Sequence, residues 1–171
     1  MTETDNARIV QLVSRGEADI GVFAMAHELD LSGVDVTSYR RDRLVVVVPR
    51  NHPLSVERKV RFRDIRMEEV VALDALKGAF SAAAKRLGHD FTPHLSVRSA
   101  GVALSLVQAE LGVTILPECQ VSRDMIDTLA TIELVEPWAV RSVHIATGKG
   151  RPLSPAADAL MRQLLQRPQD E

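Results

Sequence analysis

Apolar positions along this chain fall into two kinds of run. The first kind is continuous. Residues 44–48 read LVVVV, five apolar residues of which four are β-branched, and Pro49 closes the run. Residues 70–73 (VVAL) follow the same plan, as do residues 113–116 (VTIL), which Pro117 closes. A short apolar run bounded by turn residues predicts a strand buried on both faces. Proline fixes φ and lacks an amide donor, so Pro49, Pro53 and Pro117 mark strand exits. The second kind repeats at helical spacing. Ile9, Val10, Leu12 and Val13 predict a helix capped by Thr4 or Asp5 and ended by Gly16. Leu76, Phe80, Ala83, Ala84 and Leu87 predict a second helix, ended by Gly88. Ser99 opens a third, running to Leu111 with Gly112 after it. Val102, Ala103, Leu104, Leu106 and Val107 make it apolar nearly all round, which predicts a largely buried helix. Ser154 and Pro155 start the last, with Ala157, Leu160, Met161, Leu164 and Leu165 as its stripe. Shorter strands are expected at 20–23, 34–39, 94–98, 131–135 and 143–146, and a short helix at 62–68. Strand and helix alternate, so the expected class is α/β with a mainly parallel sheet. The tail after Arg167 is expected to fray.

Composition narrows the function more than the fold. The chain has 171 residues, 46% hydrophobic and 26% charged, enough for one sizeable core or two small ones. Its net charge is −2, from 21 basic and 23 acidic residues. A domain that neutralises DNA phosphates carries a basic excess, so direct nucleic-acid binding by this chain is not expected. Cys119 is the only cysteine, which rules out an internal disulfide and suits a reducing compartment. No apolar segment approaches the roughly 18 residues that span a bilayer. The opening MTETDNARIV lacks the basic-then-apolar order of a signal peptide. A cytoplasmic protein with no membrane partner is the expectation.

Candidate chemistry is sparse. The five histidines (His27, His52, His89, His94 and His144) show no i,i+4 pairing and no His-x-Glu arrangement, so no metal site is signalled. No glycine-rich phosphate loop and no dinucleotide fingerprint occurs, and no cofactor is expected. Carboxylates are scattered without a recognisable acid–base pair, and nothing surrounds Cys119 to activate it. No enzyme is expected. Arg40, Arg41 and Arg43 read as a solvated charged face.

Several stretches together resemble one family. They are SRGEADIGVF (14–23), LVVVVPRNHPL (44–54), VRFRDI (60–65), VRSAGVALSLVQAELGVTILPE (97–118) and RPLSPAADALMRQLL (151–165). The His-Pro-Leu after the buried strand and the helix–Gly–strand–Leu–Pro unit at 104–117 are the more specific pieces. In order and spacing the chain is similar to the effector-binding domain of LysR-type transcriptional regulators, over nearly its whole length. The resemblance implies a periplasmic-binding-protein-like fold, with two α/β subdomains joined by two crossover strands. Residues 1–45 plus 141–171 would form subdomain I and residues 46–140 subdomain II. A small-molecule effector, an organic acid being the expectation, would bind in the cleft. DNA would be contacted only through a helix-turn-helix domain that this chain lacks. The family's opening strand, helix and next strand also have no counterpart, so the first subdomain is expected to be incomplete. Its uncovered strand at 20–23 predicts a homodimer or higher assembly.

On that reading the candidate ligand-binding residues are Ser99, Ala100, Gly101, Phe23, Ala24, Asp74 and Phe80. Ser99 heads a helix whose first amides, at Gly101 and Val102, are free to hold a carboxylate. The competing reading of Ser99 is a helix cap and nothing more. Phe23 and Ala24 end one strand and Asp74 follows another, and such ends open onto the cleft in this architecture. Alanine at 24 predicts a less charged pocket on that side. Phe80 either lines the same cleft or belongs to the core stripe. A solute-binding protein of a transporter shares the fold, and a truncated fragment with no sensing activity is the other alternative.

Overall fold

The computed structural model describes residues 5–25, 29–122, 125 and 127–166; Thr4, His27 and the tail after Arg167 lie outside the described residues. In chain order the elements are α1 (Asn6–Arg15), β1 (Ile20–Ala24), β2 (Val34–Pro49), β3 (Lys59–Val60), β4 (Val70–Leu73), α2 (Lys77–Arg86), β5 (Leu95–Val97), α3 (Ala100–Gln108), β6 (Val113–Pro117), β7 (Leu129–Leu134), β8 (Val140–Gly148) and α4 (Pro155–Gln166). The chain divides into two compact units, one of residues 42–140 and one of residues 2–41 with 141–171.

In the unit of residues 42–140 the strands run in the order β3-β7-β2-β6-β4-β5. The sheet is mixed, which corrects the expectation of mainly parallel pairing. β2 lies antiparallel to β6, with Val45 opposite Leu116, and antiparallel to β7, with Val46 opposite Ile132. Parallel pairing is confined to β3–β7, β4–β5 and β4–β6. A continuous apolar run reports burial on both faces; it carries no information on which way the neighbours run. The burial itself is as expected, since Leu44 through Val48 are at most 2% exposed. Side chains alternate across a strand. Leu44, Val46 and Val48 therefore enter one core cluster with Phe62, Phe80, Ile115 and Ile132, while Val45 and Val47 enter another with Leu104, Val107 and Leu116. An aromatic group anchors the first cluster. Phe62 meets Trp138 edge-on at 5.4 Å, and Phe80 meets Phe91 at 5.5 Å. Each large side chain so buried contributes about 1.5–3 kcal/mol.

Three further expectations are corrected in this unit. The helix expected at 62–68 is two separate 3₁₀ turns, Phe62–Asp64 and Met67–Glu69. Extended backbone at Ile65 and Arg66 parts them, because burial of Phe62 and Ile65 overrides helical continuation. α3 is buried on one face only, through Ala103, Leu104 and Val107, while Val102 is 50% exposed. The helix also stops at Gln108, and the chain turns through Glu110 (φ 60°) and Gly112 (φ 142°). A Cβ at Gly112 would collide with the Glu69 carbonyl oxygen, so the close approach of these two loops requires glycine.

In the other unit β1 pairs antiparallel with β8, with Val22 opposite Ile145, and β8 lies next to β2. The strands expected at 34–39 and 44–48 are one strand of 16 residues. The charged stretch at 40–43, expected only as a solvated face, contains no glycine or proline to break the strand, which runs through it. Asp5 caps α1 by accepting from the Arg8 amide at 2.9 Å, and Gly16 (φ 77°) ends it. Val10 and Val13 pack with Phe23, Val34 and Ala146 in the unit's core cluster. The Arg151 guanidinium donates to the Val13 and Ser14 carbonyls at the end of that helix. α4 buries only Ala157, and Leu160 and Leu165 remain nearly half exposed.

Candidate functional site

The parallel strands β4 and β5 are in register, with Leu73 opposite Val97. The chain therefore leaves both at the same sheet edge. Asp74 follows the first at once and Ser99 follows the second by two residues, so the structure brings these candidates to one edge. β6, also parallel to β4, ends there at Pro117. The carboxyl ends of parallel strands are where open α/β sheets present their binding groups.

Ser99 occupies the cap position of α3 with extended backbone (φ −125°, ψ 136°), and its carbonyl accepts from the Ala103 amide at 3.1 Å. Its hydroxyl makes no capping hydrogen bond, which corrects the expectation that it caps with its side chain. The position is set by the backbone, whereas the hydroxyl's direction is a rotamer choice that spacing does not encode. The amides of Gly101 and Val102 precede the first intrahelical bond, so the helix does not satisfy them. Ser99 and Gly101 are exposed and Ala100 half-buried. Asp74 is exposed in a 3₁₀ turn and pairs with Lys77 at 3.3 Å. Arg98, which sequence reasoning passed over, is exposed directly before Ser99. Its signal was a cation preceding a cap serine.

The remaining candidates lie elsewhere. Phe80 is fully buried within the aromatic group of the core. Phe23 belongs to the other unit, is 2% exposed under α1, and lies 6.0 Å from the His144 ring. Ala24 is half-buried, and its carbonyl accepts from Asn6 Nδ2 at 2.9 Å. Among the described residues no group of three or more His, Cys, Asp and Glu side chains is arranged to hold a metal.

A recess of about 730 Å³ opens in the unit of residues 42–140, at the end where β4 and β6 begin and β2 ends. Leu54, Ile65, Leu111 and Val113 give it apolar surface, and His52, Arg66, Glu69 and Glu110 give it charge. Asn51 donates to Glu110 at 2.9 Å, and Arg66 bonds Glu69 at 2.8 Å and Glu68 at 3.2 Å. The Glu68 carboxyl is held below the usual carboxylate range by its own amide and then by Arg66.

Against known families, residues 1–169 match the LysR substrate binding domain. The chain belongs to the LysR substrate-binding domain family. Domains of this family are the effector-sensing parts of transcriptional regulators. The chain is 25% identical over 164 residues to the uncharacterized HTH-type transcriptional regulator MJ0300 of Methanocaldococcus jannaschii, covering 92% of itself and 54% of that protein. It spans about half the length of the curated relatives it matches. The fold agrees with solved LysR-type domains. The effector-binding domain of QuiR in complex with shikimate gives a TM-score of 0.71 at 18% identity, covering 95% of this chain and 78% of that one. The regulatory domain of CcmR from Synechocystis PCC6803, in complex with 2-PG, gives 0.75 at 18% identity, covering 95% and 79%. This LysR substrate-binding domain has, among its described residues, no helix long and apolar enough to cross a membrane.

Proposed function

We propose that this chain senses a small organic acid, and that the acid's carboxylate sits at the start of α3. The observation that carries the reading is the coincidence of three groups at one sheet edge: a serine hydroxyl not used for capping, two amides ahead of the first helical bond, and the Arg98 cation. Helix N-termini and arginine both favour an anion. Asp74 borders the site from β4. Residues 1–45 with 141–171 serve as one subdomain and 46–140 as the other. Effector binding acts by shifting a conformational equilibrium, which a ligand achieves only through different affinity for the two states. The chain works without catalysis, in the cytoplasm, as a self-associating part of a longer regulator that reaches DNA through a helix-turn-helix domain.

The test is thermal denaturation in the presence of a panel of small carboxylic acids. At a hundred times its dissociation constant a bound acid stabilises by about 2.7 kcal/mol, a readily measured rise in Tm. Ser99→Glu places a carboxylate against the same amides and should abolish that rise. A rise that survives Ser99→Glu refutes the site. A panel in which no acid raises Tm refutes the sensing of a small organic acid by this domain.

A further inference from the structure

The His-Pro-Leu segment after β2 has no part in the site above. Pro53 begins a 3₁₀ turn, Pro53–Val56, and lacks an amide, so the first N–H of the turn in need of an acceptor is that of Leu54. His52 supplies the acceptor. Its Nδ1 takes the Leu54 amide at 3.1 Å. A ring nitrogen that accepts carries no proton, so the neutral ring keeps its proton on Nε2. That atom lies 3.4 Å from Glu69 Oε2, whose partner oxygen is held by Arg66 at 2.8 Å. Glu69 is the residue before β4. In its neutral form the imidazole thus ties the turn that follows β2 to the turn that precedes β4, both in the lining of the 730 Å³ recess.

We propose that His52 is a proton-operated latch. Histidine is the side chain that changes charge in the physiological pH range. A second proton has only Nδ1 to go to. It leaves the imidazolium paired with Glu69 and strips the Leu54 amide of its acceptor, so acid releases the turn while the ring stays in place. The other ionisable groups facing this recess are Asp64, Arg66, Glu68, His94 and Glu110. His94 is the other imidazole among them, and its ring signals are resolved from those of His52 in the test below.

The test is amide hydrogen exchange read residue by residue through the NMR titration of the His52 ring. Leu54 should lose protection about fivefold on the acid side, the size of one net hydrogen bond. Ser55, whose amide donates to the His52 carbonyl at 2.9 Å, is indifferent to ring charge and should not change. In His52→Asn an amide oxygen caps the turn without titrating, and Leu54 protection should stay flat with pH. Leu54 protection that holds constant through the His52 titration overturns the latch, and so does an equal loss in His52→Asn.

Discussion

The two units of this chain solve the burial problem differently. In residues 42–140 the sheet is covered on both faces, and β2, β4 and β6 supply unbroken buried runs to two core clusters. Among the described residues of the other unit the core cluster holds five buried residues, two of them on α1, and α4 adds a single buried alanine. The first unit is therefore held by volume and the second by fixings. Among those fixings are the Asp5 cap, the Asn6 bond to Ala24, and the Arg151 guanidinium on the last carbonyls of α1. Gly16 and Gly148 leave the space that Arg151 fills, since a Cβ at either would run into its guanidinium. A unit of the first kind should fail through cavities, and one of the second kind through lost hydrogen bonds.

Phe80→Ala tests the first half of that contrast. It removes a ring of 0% exposure from between Phe62, Phe91 and Trp138, and should cost about 3–5 kcal/mol. Trp138 is the only tryptophan, so its emission in a denaturant series reports the loss directly. A cost below about 1 kcal/mol would mean the aromatic group is loosely packed. Arg151→Ala tests the second half. It deletes no buried volume, yet should destabilise by about 1.5–3 kcal/mol, because a charged donor leaves two helix-end carbonyls. Exchange rates of the α1 amides should rise more than those of β4; a uniform rise would show that the clamp is not local. Leu160→Gln should have the smallest effect, within about 0.5 kcal/mol, because the α4 stripe gains little from burial where it is 48% exposed. A larger loss, together with a Tm that depends on protein concentration, would show that the stripe is covered in solution.

The same contrast explains what was legible beforehand. Fully buried strands announce themselves as continuous apolar runs, so β4, β6 and the second half of β2 were readable to within a residue. The first half of β2 was not read through Arg40–Arg43, because a strand held there by main-chain pairing leaves no apolar pattern in its side chains. The apolar circumference of α3 overstated its burial, since Val102 and Leu111 stay half exposed. Strand direction was misread because pairing is a long-range choice, and local alternation is silent on it. At the candidate site, spacing put Ser99 at a helix start correctly but could not set its hydroxyl. Nor could it separate Phe80 in the core from Asp74 at the surface, since both follow the same strand within about two turns of helix.

The division within β2 has a consequence for how this sequence can drift. Residues 44–48 admit neither a charge nor a large change of volume, because each is enclosed on its own face of the sheet. Residues 35–43 carry partly or fully exposed side chains and ask mainly for the ability to stay extended. One strand therefore contains two substitution regimes with a sharp boundary at Leu44. A library randomised across its length should return almost any polar residue on one side of that boundary and little beyond valine, isoleucine and leucine on the other.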